Sequence, residues 1–253
     1  MEWRCAGLKE VGVVDWSAEL SAGAALLAQS STADRVAEVL RTRIVEGLLA
    51  PGTRLSEEAI GAALMVSRNT LREAFRLLCK EHLAVHQMNR GVFVRVLSVD
   101  DVVDLYRLRR LIECAGVRAI GQCPPGTLDA VRVAVDDAER AVTSARWRDV
   151  GTADLHFHQA LAGLVGSARV DELMRGVLAE LRLVFHVMPR PQQFHQPYLV
   201  RNREILQLLE AGDGTAAEAA LTSYLDDAER ELISAYRERG IGSQAVDDER
   251  EHG

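Results

Sequence analysis

Three sets of side chains have types and spacing that suit chemistry. Arg68 and Arg72 stand i, i+4 directly after Ser67, with Asn69 and Thr70 between them. An Arg fork matches guanine O6 and N7, and the first residues of a helix lying in the major groove are those that reach base edges. Asp154 and His158 are also i, i+4, so on a helix they share one face, as two ligands of a metal ion would. Tyr106, Arg109 and Glu113 recur at helical spacing, and Arg109 offers a planar fork for a carboxylate. Each set also has a plainer reading. Arg68 and Arg72 pair with nearby acids on a solvated face, Asp154 and His158 form a hydrogen-bonded pair inside a bundle, and Arg109 pairs with Glu113 along its own helix.

The elements that must position these groups are legible from caps and periodicity. Ser31-Thr32 caps a helix with Val36, Val39, Leu40 and Ile44 on its apolar face, stopped at Gly47. Pro51-Gly52 is a turn, Ser56 caps a second short helix bearing Ile60 and Leu64, and Ser67 caps a third running from about Arg68 to Glu81. In that helix Leu71, Phe75, Leu78 and Cys79 face inward, opposite Arg68, Asn69, Arg72 and Arg76. Two short helices about a tight turn make a helix-turn-helix. Leu83-Ala84-Val85 and Val92-Phe93-Val94 then flank Gln87 to Gly91 as a β-hairpin with a basic tip, which completes a winged helix. Leu97 to Asp101 reads as linker and cap. The remainder reads as about six helices, broken at Gly121 to Gly126, Arg148 to Gly151, Gly163 to Ser167, Pro189 to Pro197 and Gly212 to Gly214.

The expected fold is therefore mostly α: a winged helix-turn-helix over 31–97, then an all-α helical bundle over 98–240. A leader of 1–30 precedes them, either docked through Leu8, Val11, Val13, Val14 and Trp16 or disordered, and a charged tail of 241–253, expected to be disordered, follows. Charge agrees with this division. Residues 33–95 carry ten Lys and Arg against seven acids, a local excess of +3 in a chain of net charge -7, as a phosphate-binding surface requires. Four scattered cysteines suggest neither a disulfide framework nor a zinc knuckle and fit a reducing cytoplasm. No apolar run approaches the roughly 18 residues of a membrane span, and the acidic N-terminal segment is unlike a signal peptide.

Three stretches carry a family pattern. They are Pro51-Gly52-Thr53-Arg54-Leu55-Ser56-Glu57, Val66-Ser67-Arg68-Asn69-Thr70-Leu71-Arg72-Glu73-Ala74, and Arg90-Gly91 before an apolar strand. The chain resembles the GntR family of bacterial regulators over roughly residues 33 to 235. Leu105-Tyr106-Arg107-Leu108-Arg109 with Glu113, and Asp154-Leu155-His156-Phe157-His158, resemble its FadR-like branch, whose C-terminal helical FCD domain binds effectors. Two positions depart from the pattern: Met65 stands where the turn usually has Gly, and Asn69-Thr70 where a Thr-Pro pair is common.

The resemblance implies a homodimeric, ligand-responsive transcription regulator, usually a repressor, on an inverted-repeat operator. Ser67, Arg68, Asn69, Thr70 and Arg72 would form the recognition helix start, with Arg54 and Thr70 near phosphates and Arg90-Gly91 reaching the minor groove. In many relatives two later histidines complete a metal set with the Asp and His; here those places fall on Asn202 and Tyr224. An amide and a phenol hold a divalent ion such as zinc or nickel poorly, while His156, His186 or His195 are other potential donors that spacing alone does not select. The expected effector is an organic acid near Tyr106, Arg109, Asp154, His158, Asn202 and Tyr224. Two other classes compete: a metal-assisted enzyme using Asp154 and His158, which lacks a nucleophile motif and a phosphate loop, and a helical interaction module that binds no DNA.

Overall fold

In the computed structural model, residues 32–239 are described apart from 187 and 189; the leader of 1–30 and the charged tail of 241–253 lie outside the described residues. Helix α1 spans 32–45 and buries Ala33, Val36, Ala37, Leu40 and Ile44. Val39, expected on that face, is 43% exposed, because the buried stripe passes through Ala37 instead. Gly47, at φ +78°, turns the chain out of the helix, and its amide donates to the Ile44 carbonyl at 2.9 Å.

Helix α2 (Glu57–Leu64) begins at Ser56, whose side chain accepts from the Ala59 amide, and α3 (Arg68–Lys80) begins at Ser67, which accepts from the Thr70 amide. Between them Met65 is left-handed, at φ 53° and ψ 42°, and 91% exposed. Helix α3 buries Leu71, Ala74, Phe75 and Leu78, which fixes its opposite face toward solvent. Strands β1 (Ala84–Gln87) and β2 (Gly91–Val94) pair antiparallel with Gln87 opposite Gly91. The loop is thus Met88-Asn89-Arg90, one residue shorter at each end than expected, with Asn89 left-handed at φ 60°. This is a winged helix-turn-helix.

Six helices follow among the described residues: α4 (Val99–Arg118), α5 (Asp129–Thr143), α6 (Trp147–Gly163), α7 (Ala168–Phe185), α8 (Pro191–Glu210) and α9 (Gly214–Glu238). A capping box starts α4, where Ser98 accepts from the Asp101 amide and Asp101 accepts from the Ser98 amide. Two expected breaks fall elsewhere. Arg148 to Gly151 lies inside α6; the chain turns earlier, at Ala145, which is left-handed at φ 54°. Gly151 is helical despite its residue type, and its missing side chain leaves room for Arg182 and His195. Pro197 likewise sits within α8: that helix forgoes one backbone bond there, while Phe194, His195 and Tyr198 around it are buried. The bundle is centred on α4, α6 and α9, and no described helix is long and apolar enough to cross a membrane.

Candidate functional site

The first candidate surface lies between α3 and the wing. Arg54, Glu57, Arg68, Arg72, Arg76, His86 and Gly91 border an open groove of about 810 Å³. The turn after Pro51 brings Arg54 there, because its backbone bridges to Phe93 and its guanidinium lies over Gly91. A side chain at Gly91 would begin 3.5 Å from Arg54 Nε, and the residue's φ of 106° suits glycine alone. Arg90 stands exposed at the wing tip with its guanidinium 5.7 Å from the Phe93 ring. Ser67 is occupied as the cap and shares a hydrogen bond with the Thr70 hydroxyl at 2.9 Å, so both fix the helix start. Arg68 and Asn69 are exposed, whereas Arg72 Nε donates to Glu57 Oε1 at 3.0 Å. Of the two arginines, one therefore has the neighbouring acid that the plainer reading required. Arg76 and His86 were absent from the expected set; Arg76 lies one turn beyond Arg72, and His86 reaches the groove only through strand pairing.

The second site is inside the bundle. Arg109 and Glu113 come from α4, Asp154 and His158 from α6, Asn202 from α8 and Tyr224 from α9, and all six are buried. Arg109 Nε donates to Glu113 Oε1 at 2.8 Å, and His158 Nδ1 lies 2.6 Å from Glu113 Oε2. Tyr224 donates its hydroxyl to Asp154 Oδ1 at 3.0 Å, Asn202 donates its amide to the same oxygen at 2.9 Å, and His158 Nε2 is 3.2 Å from the Tyr224 hydroxyl. The Arg109 guanidinium lies 4.8 Å from the Tyr106 ring. Every expected member of the inner set is thus in one network, and Glu113, besides pairing with Arg109, bridges it to His158.

Burial would raise both carboxyls, yet each is held below its usual range. For Glu113 the opposing causes are Arg109 and then His158; for Asp154 they are His158, His195 and the Asn202 amide. Tyr224 is driven the other way, well above the usual phenol range, by burial and by the Asp154 charge. Two anions thus coexist in the core because each has cationic or donating neighbours. Arg109 Nη2 and Asn202 Oδ1 are buried without a partner among the described residues, which marks them as available to a bound molecule or water.

This donor set does not fit a metal ion. Tyr224 stays protonated and turns its hydrogen to Asp154, while Asn202, whose NH2 is given to the same oxygen, has only a neutral amide oxygen to offer, so two of the four donors are weak ones. Of the other histidines, His195 lies toward Asp154, and His186 sits at the far end of α7 beside Gly47. Among the described residues no group of three or more His, Cys, Asp or Glu is placed to hold one.

The comparisons with known proteins bear on both halves. Residues 32–94 match the model of the gntR family of bacterial regulatory proteins, and residues 104–227 match the FCD domain. A transcriptional regulator GntR from Rhodococcus sp. RHA1 has a crystal structure that is 50% identical, covers 81% of this chain and 99% of that one, and superposes with a TM-score of 0.78. The chain belongs to the GntR family. The HTH-type transcriptional repressor RspR of Escherichia coli (strain K12) is 28% identical over 76% of this chain and 85% of its own length. The structure of E. coli McbR/YncC shares the fold, with a TM-score of 0.69 at 16% identity, over 81% of this chain and 98% of that one.

For this GntR-family regulator, two further polar groups lie beside the inner network: His195, one of the three histidines that spacing alone did not select, and Arg182, which the sequence did not single out. Arg182 and His195 are buried next to Gly151, and His195 Nδ1 has no partner among the described residues. His195 was identifiable as standing i, i+7 with Asn202 on α8, hence on one face. Arg182 had no such signal.

Proposed function

We propose that this GntR-family transcription regulator binds an inverted-repeat operator as a homodimer, most simply as a repressor, and that a small organic acid in its FCD domain alters that binding. Residues 31–97 are the DNA-binding domain and 98–240 the sensing and dimerising domain of a cytoplasmic protein, a regulator rather than an enzyme. Arg68, Asn69 and Arg72 read bases, Arg54 and Thr70 approach phosphates, Ser67 fixes the helix start, and Arg90-Gly91 enters the minor groove.

One observation carries the DNA reading: Arg54, Arg68, Arg72 and Arg76 border one open groove beside an exposed wing tip. An interaction module that binds no DNA has no need of that convergence. The effector reading rests on Arg109 Nη2, which has no hydrogen-bond partner among the described residues, amid Tyr106, Asp154, His158, Asn202 and Tyr224. A carboxylate there would meet an unused donor in a low-dielectric site.

Selection of bound sequences from random duplex DNA tests the first part. Recovery of an inverted repeat, with affinity falling steeply in salt, is the expected result, and recovery of nothing above background refutes it. A thermal-shift screen of organic acids tests the second, using the parent protein and Arg109→Lys. An acid that stabilises both equally removes Arg109 from the site.

A further inference from the structure

Arg182, on α7, is buried and has no carboxylate within ion-pair distance among the described residues. Its Nε donates to the Val45 carbonyl at 3.0 Å and its Nη2 lies 3.3 Å from the Arg148 carbonyl. Val45 is the last residue of α1, in the DNA-binding half, so the guanidinium caps the negative end of that helix. One turn further along α7, His186 meets the Ile44 carbonyl, and a side chain at Gly47 would collide with its ring. Arg95, just after β2, adds a second tie by donating to Glu180 at 3.1 Å and to Asp101 at 2.6 Å.

The inner end of Arg182 lies against Gly151, beside His195. A Cβ on Gly151 would stand 2.8 Å from Arg182 Nη1 and 2.9 Å from His195 Nε2, so both side chains use the space that glycine leaves. The charge of Asp154 acts on both Arg182 and His195. One residue therefore bonds to the end of α1 and lies in the field of the carboxylate at the candidate effector site.

We propose that Arg182 is a latch coupling the polar core of the FCD domain to the C-terminal end of α1, so that its placement sets how the winged helix is held and how well it binds DNA. The effector half of this statement rests on the function proposed above; the latch itself does not. A molecule bound at Asp154 changes the field and packing around His195 and Arg182, and the bond to Val45 strengthens or fails with them.

The test uses the full chain with Arg182→Gln, Gly151→Ala and both together. The alanine methyl acts as a wedge against the tip of a flexible side chain. Amide hydrogen exchange is read at Gly47 and Leu49, which donate to Ile44 and Arg43 at the end of α1. Each single variant is expected to speed that exchange about three- to tenfold, the size of one lost hydrogen bond. The double variant is expected to be no faster than Arg182→Gln, because the wedge acts through the guanidinium. Affinity for the selected duplex should change by a similar factor. Unchanged exchange, or additive effects in the double variant, overturns the latch; altered exchange with unaltered DNA affinity overturns its control of binding. If Arg182→Gln does not fold, Gly151→Ala and Arg182→Lys carry the same comparison. Failure of the parent to bind any duplex counts against the proposed function, and exchange measured without DNA then decides the latch alone.

Discussion

Tyr224 donates its hydroxyl to Asp154 Oδ1 at 3.0 Å, from a position where a metal ligand would have to offer a lone pair. The phenol is held protonated by burial and by the Asp154 charge. Zinc or nickel added to chelator-treated protein is therefore expected to leave the thermal midpoint unchanged. Asn202→His combined with Tyr224→His supplies two imidazoles toward Asp154 and His158, and this variant should gain a metal-dependent rise in midpoint. At a hundredfold excess over Kd the gain is about 2.7 kcal/mol. A metal-dependent rise in the parent protein would sink the argument.

Glu113 joins two buried groups, accepting from Arg109 at 2.8 Å and lying 2.6 Å from His158 Nδ1. Glu113→Gln leaves a buried guanidinium without its anion and turns an amide donor toward one of two donors. The expected loss is about 3 to 5 kcal/mol in urea unfolding. Arg109→Met with Glu113→Leu removes both charges and should cost less than Glu113→Gln alone. The opposite order would mean that the ion pair itself, rather than the unpaired charge, dominates.

Much of the frame was readable because it is set by local rules. Ser56, Ser67 and Ser98 all cap the helices that their types and spacing indicate, and the burial of Leu71, Phe75 and Leu78 follows a helical period. Asn202 and Tyr224 were reachable through family spacing, and the fold brings both to Asp154. Arg182 bonding to Val45 was not legible, since the partner is a backbone carbonyl 137 residues away and no side-chain type signals it. The same holds for Arg95 with Glu180, separated by 85 residues. Gly151 misled for a related reason: it reads as a helix breaker locally, while its purpose is a long-range contact.

Met65 occupies a left-handed cap at φ 53° with its side chain 91% exposed, so it gains little packing to offset the backbone strain. Met65→Gly removes a strain of about 1 to 2 kcal/mol and adds chain entropy of about 0.5 to 1 kcal/mol to the unfolded state. A modest net stabilisation is expected, visible as a higher urea midpoint at constant m-value. A lower midpoint would show that the Met65 side chain contributes more than its exposure suggests.

Glu180 is pushed up to about 7, chiefly by burial, with Arg95 opposing and Asp101 and Asp104 adding to the rise. A carboxyl raised in the folded state binds its proton more tightly there than in the unfolded chain. Its contribution to stability is then complete below the ordinary Glu range and is lost as pH climbs through about 7. Glu180→Gln cannot lose a proton, so the variant should gain on the parent between pH 5 and pH 8 in urea midpoint. A shift the other way would mean that the Arg95 ion pair outweighs the burial.

Arg72 donates to Glu57 at 3.0 Å, while Arg68 pairs with none of the described acids. To read a base, Arg72 must leave an exposed ion pair worth about 0 to 1 kcal/mol, and Glu57 must stay near the phosphates as an uncompensated anion. Arg68→Ala should therefore cost about 1 to 3 kcal/mol in operator binding and relax one base position. Arg72→Ala should cost less by roughly the value of the ion pair it frees. Glu57→Gln should tighten binding to operator and to unrelated duplex alike, since it frees a cation and removes a repulsive charge without adding a base contact. Fluorescence anisotropy titrations on both duplexes separate these effects. If Glu57→Gln weakened binding, the carboxylate would be orienting Arg72 for its base, and the ion pair would belong to the reading surface itself.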